Sequence, residues 1–123
     1  MPKKKIMVVD DEQSLIELVR AILGQEGFDV ITVYSGPECL EKLKSEKPDL
    51  ILMDMMMPGM SGRETTEKIR SNPKTRGLKI AFLTVARFSE VGKDSLKKLN
   101  VLDYITKPFD NKDMVKRVKK ALG

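Results

Sequence analysis

The chain alternates short apolar runs, rich in β-branched residues, with longer stretches in which apolar residues recur every three or four positions. Each apolar run has the length and composition of a strand, and each longer stretch has the spacing of an amphipathic helix. The predicted strands are Lys5–Val9, Asp29–Val33, Leu50–Met53, Lys79–Leu83 and Leu102–Thr106. This alternation predicts an α/β fold in which five helices cover a parallel sheet on both faces.

The predicted helices have recognisable starts or apolar faces. The first begins near Ser14, and the last starts after Asp110. The second and third each open with a serine followed three positions later by a glutamate, which is capping-box spacing: Ser35 with Glu38, and Ser61 with Glu64. The third has only Ile69 as a strongly apolar residue, which predicts a largely exposed helix. The fourth is predicted from Phe88, Val91, Leu96 and Leu99.

Chemically versatile residues follow four of the five strands. Right-handed crossovers favour a flavodoxin-like, doubly wound sheet of strand order 2-1-3-4-5, in which ligands bind at the carboxyl edge. At that edge the sequence places Asp10 and Asp11, Asp54, Thr84 and Lys107. We therefore expect residues spread over most of the chain to share one acidic pocket.

The predicted pocket has an unbalanced charge. Asp10, Asp11 and Asp54 carry three negative charges against the single positive charge of Lys107, and such carboxylates must be protonated or matched by cations. A divalent ion would cancel the remaining charge of −2. Because the chain contains no histidine, the oxygen donors favour a hard ion such as Mg²⁺ over zinc.

Composition limits the possible classes of protein. The 123 residues, of which 41% are hydrophobic, predict a single domain spanning 1–123. Cys39 is the only cysteine, so an internal disulfide is impossible and a buried apolar role is expected. The net charge of +5 comes from scattered lysines with few aromatics among them, so no direct nucleic-acid binding is expected. No signal peptide or membrane-length apolar run is present, and we expect a cytoplasmic protein without membrane contact.

The order and spacing of these residues resemble the receiver domain of two-component response regulators, of the stand-alone chemotaxis-regulator type. The resemblance extends over the whole chain. The matching segments are Asp10-Asp11-Glu12, Asp54 with Met57-Pro58-Gly59 and Gly62, Thr84, and Lys107-Pro108-Phe109.

The resemblance implies a role for each matching residue in phosphorelay signalling. Asp54 would accept a phosphoryl group from a histidine kinase or phosphotransfer protein, in a Mg²⁺-dependent reaction. Asp10, Asp11, Asp54 and the backbone carbonyl of Met56 would hold the ion. Lys107 and Thr84 would contact the phosphoryl group, and Lys107-Pro108 would be a cis peptide.

The resemblance also implies the output of the domain. Thr84 and Tyr104 would act as a switch that changes a surface formed by the fourth helix, the fifth strand and the fifth helix. A downstream protein would bind that surface. Such a domain is not an enzyme but a phosphoacceptor that assists its own phosphorylation and dephosphorylation.

Three alternatives are less favoured. A haloacid-dehalogenase-type phosphatase would need a second acid at the position of Met56. A flavin or nucleotide carrier would need a phosphate-binding loop where the chain has Asp10, Asp11 and Glu12, which would repel phosphate. A phosphorylation-independent adaptor on the same fold is the remaining alternative, although every position needed for phosphorylation is filled.

Overall fold

Five parallel strands form one sheet in the order β2-β1-β3-β4-β5, as predicted. The computed structural model describes residues 3–85 and 97–123. The strands are β1 Lys5–Val9, β2 Asp29–Val33, β3 Leu50–Asp54, β4 Ile80–Val85 and β5 Tyr104–Lys107. The described helices are α1 Gln13–Gln25, α2 Gly36–Lys42, α3 Gly62–Ser71 and the C-terminal helix α4, Asn111–Leu122.

The strand predictions are correct in number and order and differ in some boundaries. β1 and β2 have the predicted limits, whereas β3 and β4 extend to Asp54 and Val85, and β5 runs from Tyr104 to Lys107. The pairing register explains the later ends, because Asp54 pairs with Leu83, and Val85 pairs with Lys107. Asp54, Thr84 and Lys107 are therefore the last or next-to-last residues of their strands. Rigid sheet backbone holds all three.

Four of the five predicted helices lie within the described ranges. The fourth predicted helix falls mostly on residues 86–96, outside the part of the chain that the structure describes. In that part, no helix combines the length and the apolar character needed to cross a membrane.

Side-chain caps fix the starts of three helices. At α3 the capping box is complete, since the Glu64 amide donates to Ser61 Oγ at 3.1 Å and the Ser61 amide donates to Glu64 Oε1 at 3.2 Å. The Glu38 amide donates to Ser35 Oγ at the start of α2. At α4, Asp110 accepts from the amide of Asp113. These bonds satisfy backbone amides that have no partner within the helix.

The third helix has exposed positions, as expected, but it also buries one face that its single strongly apolar residue did not indicate. Thr65, Thr66 and Ile69 are all buried, although two of them are polar. The Thr65 hydroxyl donates to the carbonyl of Ser61 at 2.8 Å, so this threonine can be buried with its polar atom satisfied. A count of apolar residues does not detect such a face.

The sheet separates two apolar layers, because successive strand residues point to opposite faces. One layer contains Met7, Ile51 and Phe82 with residues of α2 and α3, and the other contains Ile6 and Leu52 with residues of α1 and α4. Cys39 lies in the first layer, as predicted, and burial raises the pKa of its thiol to about 12. The buried acids of the described residues, Asp10 and Asp54, lie at the carboxyl ends of β1 and β3.

Candidate functional site

The carboxyl ends of three strands bring two acids and a lysine into contact. Lys107 Nζ lies 2.8 Å from Asp10 Oδ2 and 3.4 Å from Asp54 Oδ1. Asp10 and Lys107 are 97 positions apart in the chain. They meet because β1 and β3 are neighbours and β5 ends at the same edge of the sheet.

Asp11 completes the group, which we call the acidic crevice: Asp10, Asp11, Asp54 and Lys107. One carboxylate oxygen from each aspartate lies within 4.8 Å of the other two. Asp10 is fully buried and Asp54 almost so, whereas Asp11 is exposed. The crevice is therefore accessible from the side on which Asp11 lies.

Backbone amides hold two of the carboxylates. The Glu12 amide donates to Asp10 Oδ1 at 2.9 Å, and the Met56 amide donates to Asp54 Oδ1 at 3.2 Å. Each aspartate thus accepts from the residue two positions later, which is the pattern of an Asx turn. Sequence analysis missed these two donors. An aspartate at a strand end followed by a loop is the signal that could have indicated them.

Gly62 allows the start of α3 to lie directly against the end of β3. A Cβ atom at this position would overlap the carbonyl oxygen of Asp54 and lie 2.9 Å from Met55 Cα. The Gly62 amide donates to the Met55 carbonyl at 3.0 Å. Gly62 was part of the matching motif, and the close backbone approach gives its physical reason.

Thr84 and Tyr104 lie on adjacent strands next to the crevice. The buried Thr84 hydroxyl is 3.9 Å from Met55 Sδ and 3.4 Å from the Val85 carbonyl. Tyr104 pairs with Phe82 across β4 and β5, and the two ring centroids are 6.1 Å apart. Burial raises the pKa of the Tyr104 hydroxyl. The peptide bond between Lys107 and Pro108 is cis.

Comparison with known proteins identifies the family. The model of the response regulator receiver domain matches residues 6–119. The chain belongs to this family. As a receiver domain, it is a signalling domain that acts in phosphorelay. It interacts with histidine kinases or phosphotransfer proteins and with downstream targets.

Solved structures with the same fold cover nearly all of the receiver domain. Chemotaxis protein CheY4 of Vibrio cholerae is 28% identical with a TM-score of 0.90, over 98% of this chain and 99% of that one. A putative response regulator of Chloroflexus aurantiacus is 29% identical with a TM-score of 0.90, over 98% of both chains. The receiver domain of the Pseudomonas aeruginosa sensor histidine kinase PA1611, with a magnesium ion in its active-site cleft, shares the fold at 24% identity and a TM-score of 0.87, over 99% of both chains.

The environment of the receiver's crevice shifts the pKa values of Asp54 and Lys107. Burial, with a further contribution from the charge of Asp10, raises the pKa of Asp54 to about 7. Lys107 and the Met56 amide oppose this shift. Burial would lower the pKa of Lys107, but its hydrogen bond and charge pairing with Asp10, together with the charge of Asp54, hold that pKa above its usual value.

The donor set of the crevice fits a hard divalent cation. Among the residues that the structure describes, three carboxylates face one ammonium group, which leaves a formal charge of −2 when all are ionised. Oxygen donors grouped in this way suit Mg²⁺, which typically accepts one or two carboxylates and retains several waters. The exposed Asp11 gives such a hydrated ion access from solvent.

Proposed function

We propose that Asp54 is the phosphoacceptor of this receiver domain, with a histidine kinase or phosphotransfer protein as its donor. The observation that carries the proposal is the contact of Lys107 with both Asp10 and Asp54 inside the acidic crevice. A lysine at this place balances acceptor charge and can bind phosphoryl oxygens. We propose that residues 1–123 function as a single receiver domain.

The transfer step forms one bond as another breaks. A carboxylate oxygen of Asp54 bonds to phosphorus while the bond from phosphorus to the donor's histidine nitrogen breaks. The bonding electrons stay on that nitrogen. The ring carries a proton on its other nitrogen, so it leaves as neutral imidazole. Among the described residues, the contacts to Asp54 from Lys107 and the Met56 amide both use Oδ1. The other oxygen, Oδ2, is therefore the attacking atom in our proposal.

Asp10, Asp11, Asp54 and the backbone carbonyl of Met56 are the proposed ligands of Mg²⁺. When bound, the ion supplies positive charge that offsets the phosphoryl oxygens and the grouped carboxylates. Lys107 contacts one phosphoryl oxygen while its ammonium group stays paired with the buried Asp10. The Thr84 hydroxyl donates to another phosphoryl oxygen after it gives up its contacts with Met55 Sδ and the Val85 carbonyl.

The switch follows from this change of partner by Thr84. A shift of its side chain changes the packing around Tyr104, whose strand β5 is paired with β4. We propose that a downstream protein binds a surface on β5 and the C-terminal helix α4. The surface also includes the helix predicted before β5 from Phe88, Val91, Leu96 and Leu99. The part of that surface on β5 and α4 lies within the described residues.

Intact-mass analysis after incubation with acetyl phosphate tests the phosphoacceptor. We expect wild-type protein to gain the mass of one phosphoryl group with Mg²⁺ and to gain none with a chelator. Asp54→Asn should show no gain, whereas Asp29→Asn, an exposed aspartate at the opposite end of the sheet, should be labelled as wild type. Labelling that persists in Asp54→Asn would move the acceptor to another residue.

A further inference from the structure

A groove of about 560 Å³ runs between α1 and the C-terminal helix α4. Ile22 of α1 and Val115 of α4 line it with apolar surface, and both are only half-buried. Gln25 and Glu26 lie at the end of the α1 side. The groove is separate from the acidic crevice, none of whose four residues line it.

Three lysines form the α4 wall of the groove: Lys112, Lys116 and Lys119. Their spacing of four and three residues puts them on one face of the helix, over about 10 Å of its length. Lys119 Nζ pairs with Glu26 Oε1 of α1 at 2.8 Å. Neither Lys112 nor Lys116 forms an ion pair with any residue in the ranges 3–85 and 97–123.

The positions of Lys112 and Lys116 do not favour the stability of α4. Lys112 is the second residue of the helix, where the positive end of the helix dipole disfavours a cation. Lys112 and Lys116 are four residues apart, so their like charges also repel. Two cations that cost helix stability, Lys112 and Lys116, beside half-buried apolar side chains, fit a role in binding an anionic partner.

The groove and the proposed output surface lie on opposite flanks of α4. On one flank, Lys119 contacts Glu26 of α1. On the other, Arg117 donates to both carboxylate oxygens of Asp103, next to Tyr104, at 2.8 and 2.9 Å. A partner in the groove therefore need not touch the strand that carries Tyr104 and Lys107.

We propose that the groove between α1 and α4 binds an acidic amphipathic helix of a partner protein, independently of phosphorylation. Leucine-like side chains of that helix contact Ile22 and Val115, and its acidic residues pair with Lys112 and Lys116. An apolar helix face in an apolar groove is a common mode of peptide recognition. The receiver domain thus has a constant attachment site in addition to its phosphorylation-dependent surface.

The lining of the groove argues against two other anionic partners. No aromatic side chain lines it as an interfacial anchor for a membrane. Single-stranded nucleic acid usually needs aromatic side chains or arginine for base stacking. The lining residues include neither.

A labelled helical peptide of about 18 residues, with leucines on one face flanked by glutamates, tests the proposal by fluorescence anisotropy. We expect saturable binding to wild-type protein and about tenfold weaker binding to Lys112→Glu/Lys116→Glu. Lys3→Glu/Lys4→Glu, which changes the net charge equally at an exposed site, should bind as wild type. Replacing the peptide's leucines with serine should abolish binding, and acetyl phosphate with Mg²⁺ should leave affinity unchanged.

Several outcomes would overturn the attachment site without affecting the phosphoacceptor. These are no saturable peptide binding, equal weakening in both lysine pairs, or a change of affinity on phosphorylation. Binding of anionic phosphatidylglycerol vesicles that depends on Lys112 and Lys116, without peptide binding, would replace the protein partner with a membrane. Intact-mass labelling of Lys112→Glu/Lys116→Glu should match wild type, so failure of the two proposals can be told apart.

Discussion

The carboxyl group of Asp54 retains its proton to an unusually high pH. In the unfolded chain its pKa is near 3.8, whereas burial and the neighbouring Asp10 raise the folded-state pKa to about 7. The folded state therefore binds this proton more tightly than the unfolded state. The resulting stability is fully present below about pH 4 and is lost as pH rises through 7.

Asp54→Asn removes this titration. In a chelating buffer at pH 8, we expect the free energy of unfolding of Asp54→Asn to exceed that of wild type by about 2 kcal/mol, because a buried charge has been replaced by a neutral amide. The difference should shrink toward pH 4. Urea unfolding at a series of pH values measures it, with Asp29→Asn as the control. A difference that grows as pH falls would contradict the shifted pKa.

The buried hydroxyl of Thr66 has no hydrogen-bond partner among residues 3–85 and 97–123. Its neighbour Thr65 is equally buried but donates to the Ser61 carbonyl. We expect Thr66→Val to increase the free energy of unfolding by about 1 kcal/mol, since it removes an unsatisfied polar group at nearly constant shape. Thr65→Val should instead destabilise the protein. Thermal unfolding of both variants tests the contrast, and equal effects would refute it.

Single residues were predictable where they carry charge at a strand end. Asp10, Asp54 and Lys107 could be grouped from sequence because each follows an apolar run. The amide donors of Glu12 and Met56 could not, because any residue except proline has a backbone amide. The different hydrogen bonding of Thr65 and Thr66 depends on their hydroxyl environments, which sequence spacing does not specify.

At the scale of elements, Arg70 connects the end of α3 to two other segments. Its guanidinium donates to the carbonyls of Arg76, Leu78 and Leu99 at 2.6 to 2.7 Å, and to that of Asn100 at 3.3 Å. The first two precede β4 and the last two precede β5. One side chain therefore fixes α3 relative to the entries of two strands.

Arg70→Met should lower the free energy of unfolding by about 3 kcal/mol, because several carbonyls lose a charged donor. Arg70→Lys should recover only part of the loss, since an ammonium group cannot match the planar fork. Arg76→Met provides the control, because the Arg76 side chain is exposed. Urea denaturation measures all three variants. Equal stability of Arg70→Met and Arg76→Met would show that the contacts contribute little.

The elements themselves were largely predictable, and their contacts were not. Strong apolar runs located all five strands, and serine or aspartate caps located the starts of α2, α3 and α4. The burial of α3 was missed because it depends on threonines and Gly62 packing closely, not on large apolar residues. Arg70 was missed for a related reason: its partners are carbonyls of distant loops, which no local pattern marks.

For the whole molecule, a bound cation should couple the crevice to global stability. Mg²⁺ that binds only the folded state adds about 2.7 kcal/mol to the free energy of unfolding at a hundred times its dissociation constant. We expect Mg²⁺ to raise the melting temperature of wild type and to do so much less for Asp11→Asn. Asp11 is exposed, so this variant should fold normally without the ion. An equal Mg²⁺ effect in both proteins would exclude Asp11 as a ligand.

The overall topology followed from the alternation of elements, because right-handed crossovers leave few ways to order five parallel strands. The grouping of Asp10 and Asp54 was predicted from that order, because it makes β1 and β3 neighbours, and Lys107 was placed with them because the carboxyl ends of parallel strands share one edge of the sheet. The burial of each side chain was not predicted from the strand order. The crevice combines a fully buried Asp10 with an exposed Asp11, although the two are adjacent in sequence. Strand alternation and the turn after β1 together produce this difference.

The pairing of Lys107 with Asp10 has a consequence for the newly synthesised chain. A nascent polypeptide that has formed β1 to β3 already holds three mutually repelling acids, and Lys107, which pairs with Asp10 and Asp54 in the folded protein, has not yet been translated. Cellular magnesium could neutralise that intermediate before β5 is added. Biosynthesis under magnesium starvation should then leave this intermediate exposed to chaperones and proteases for longer.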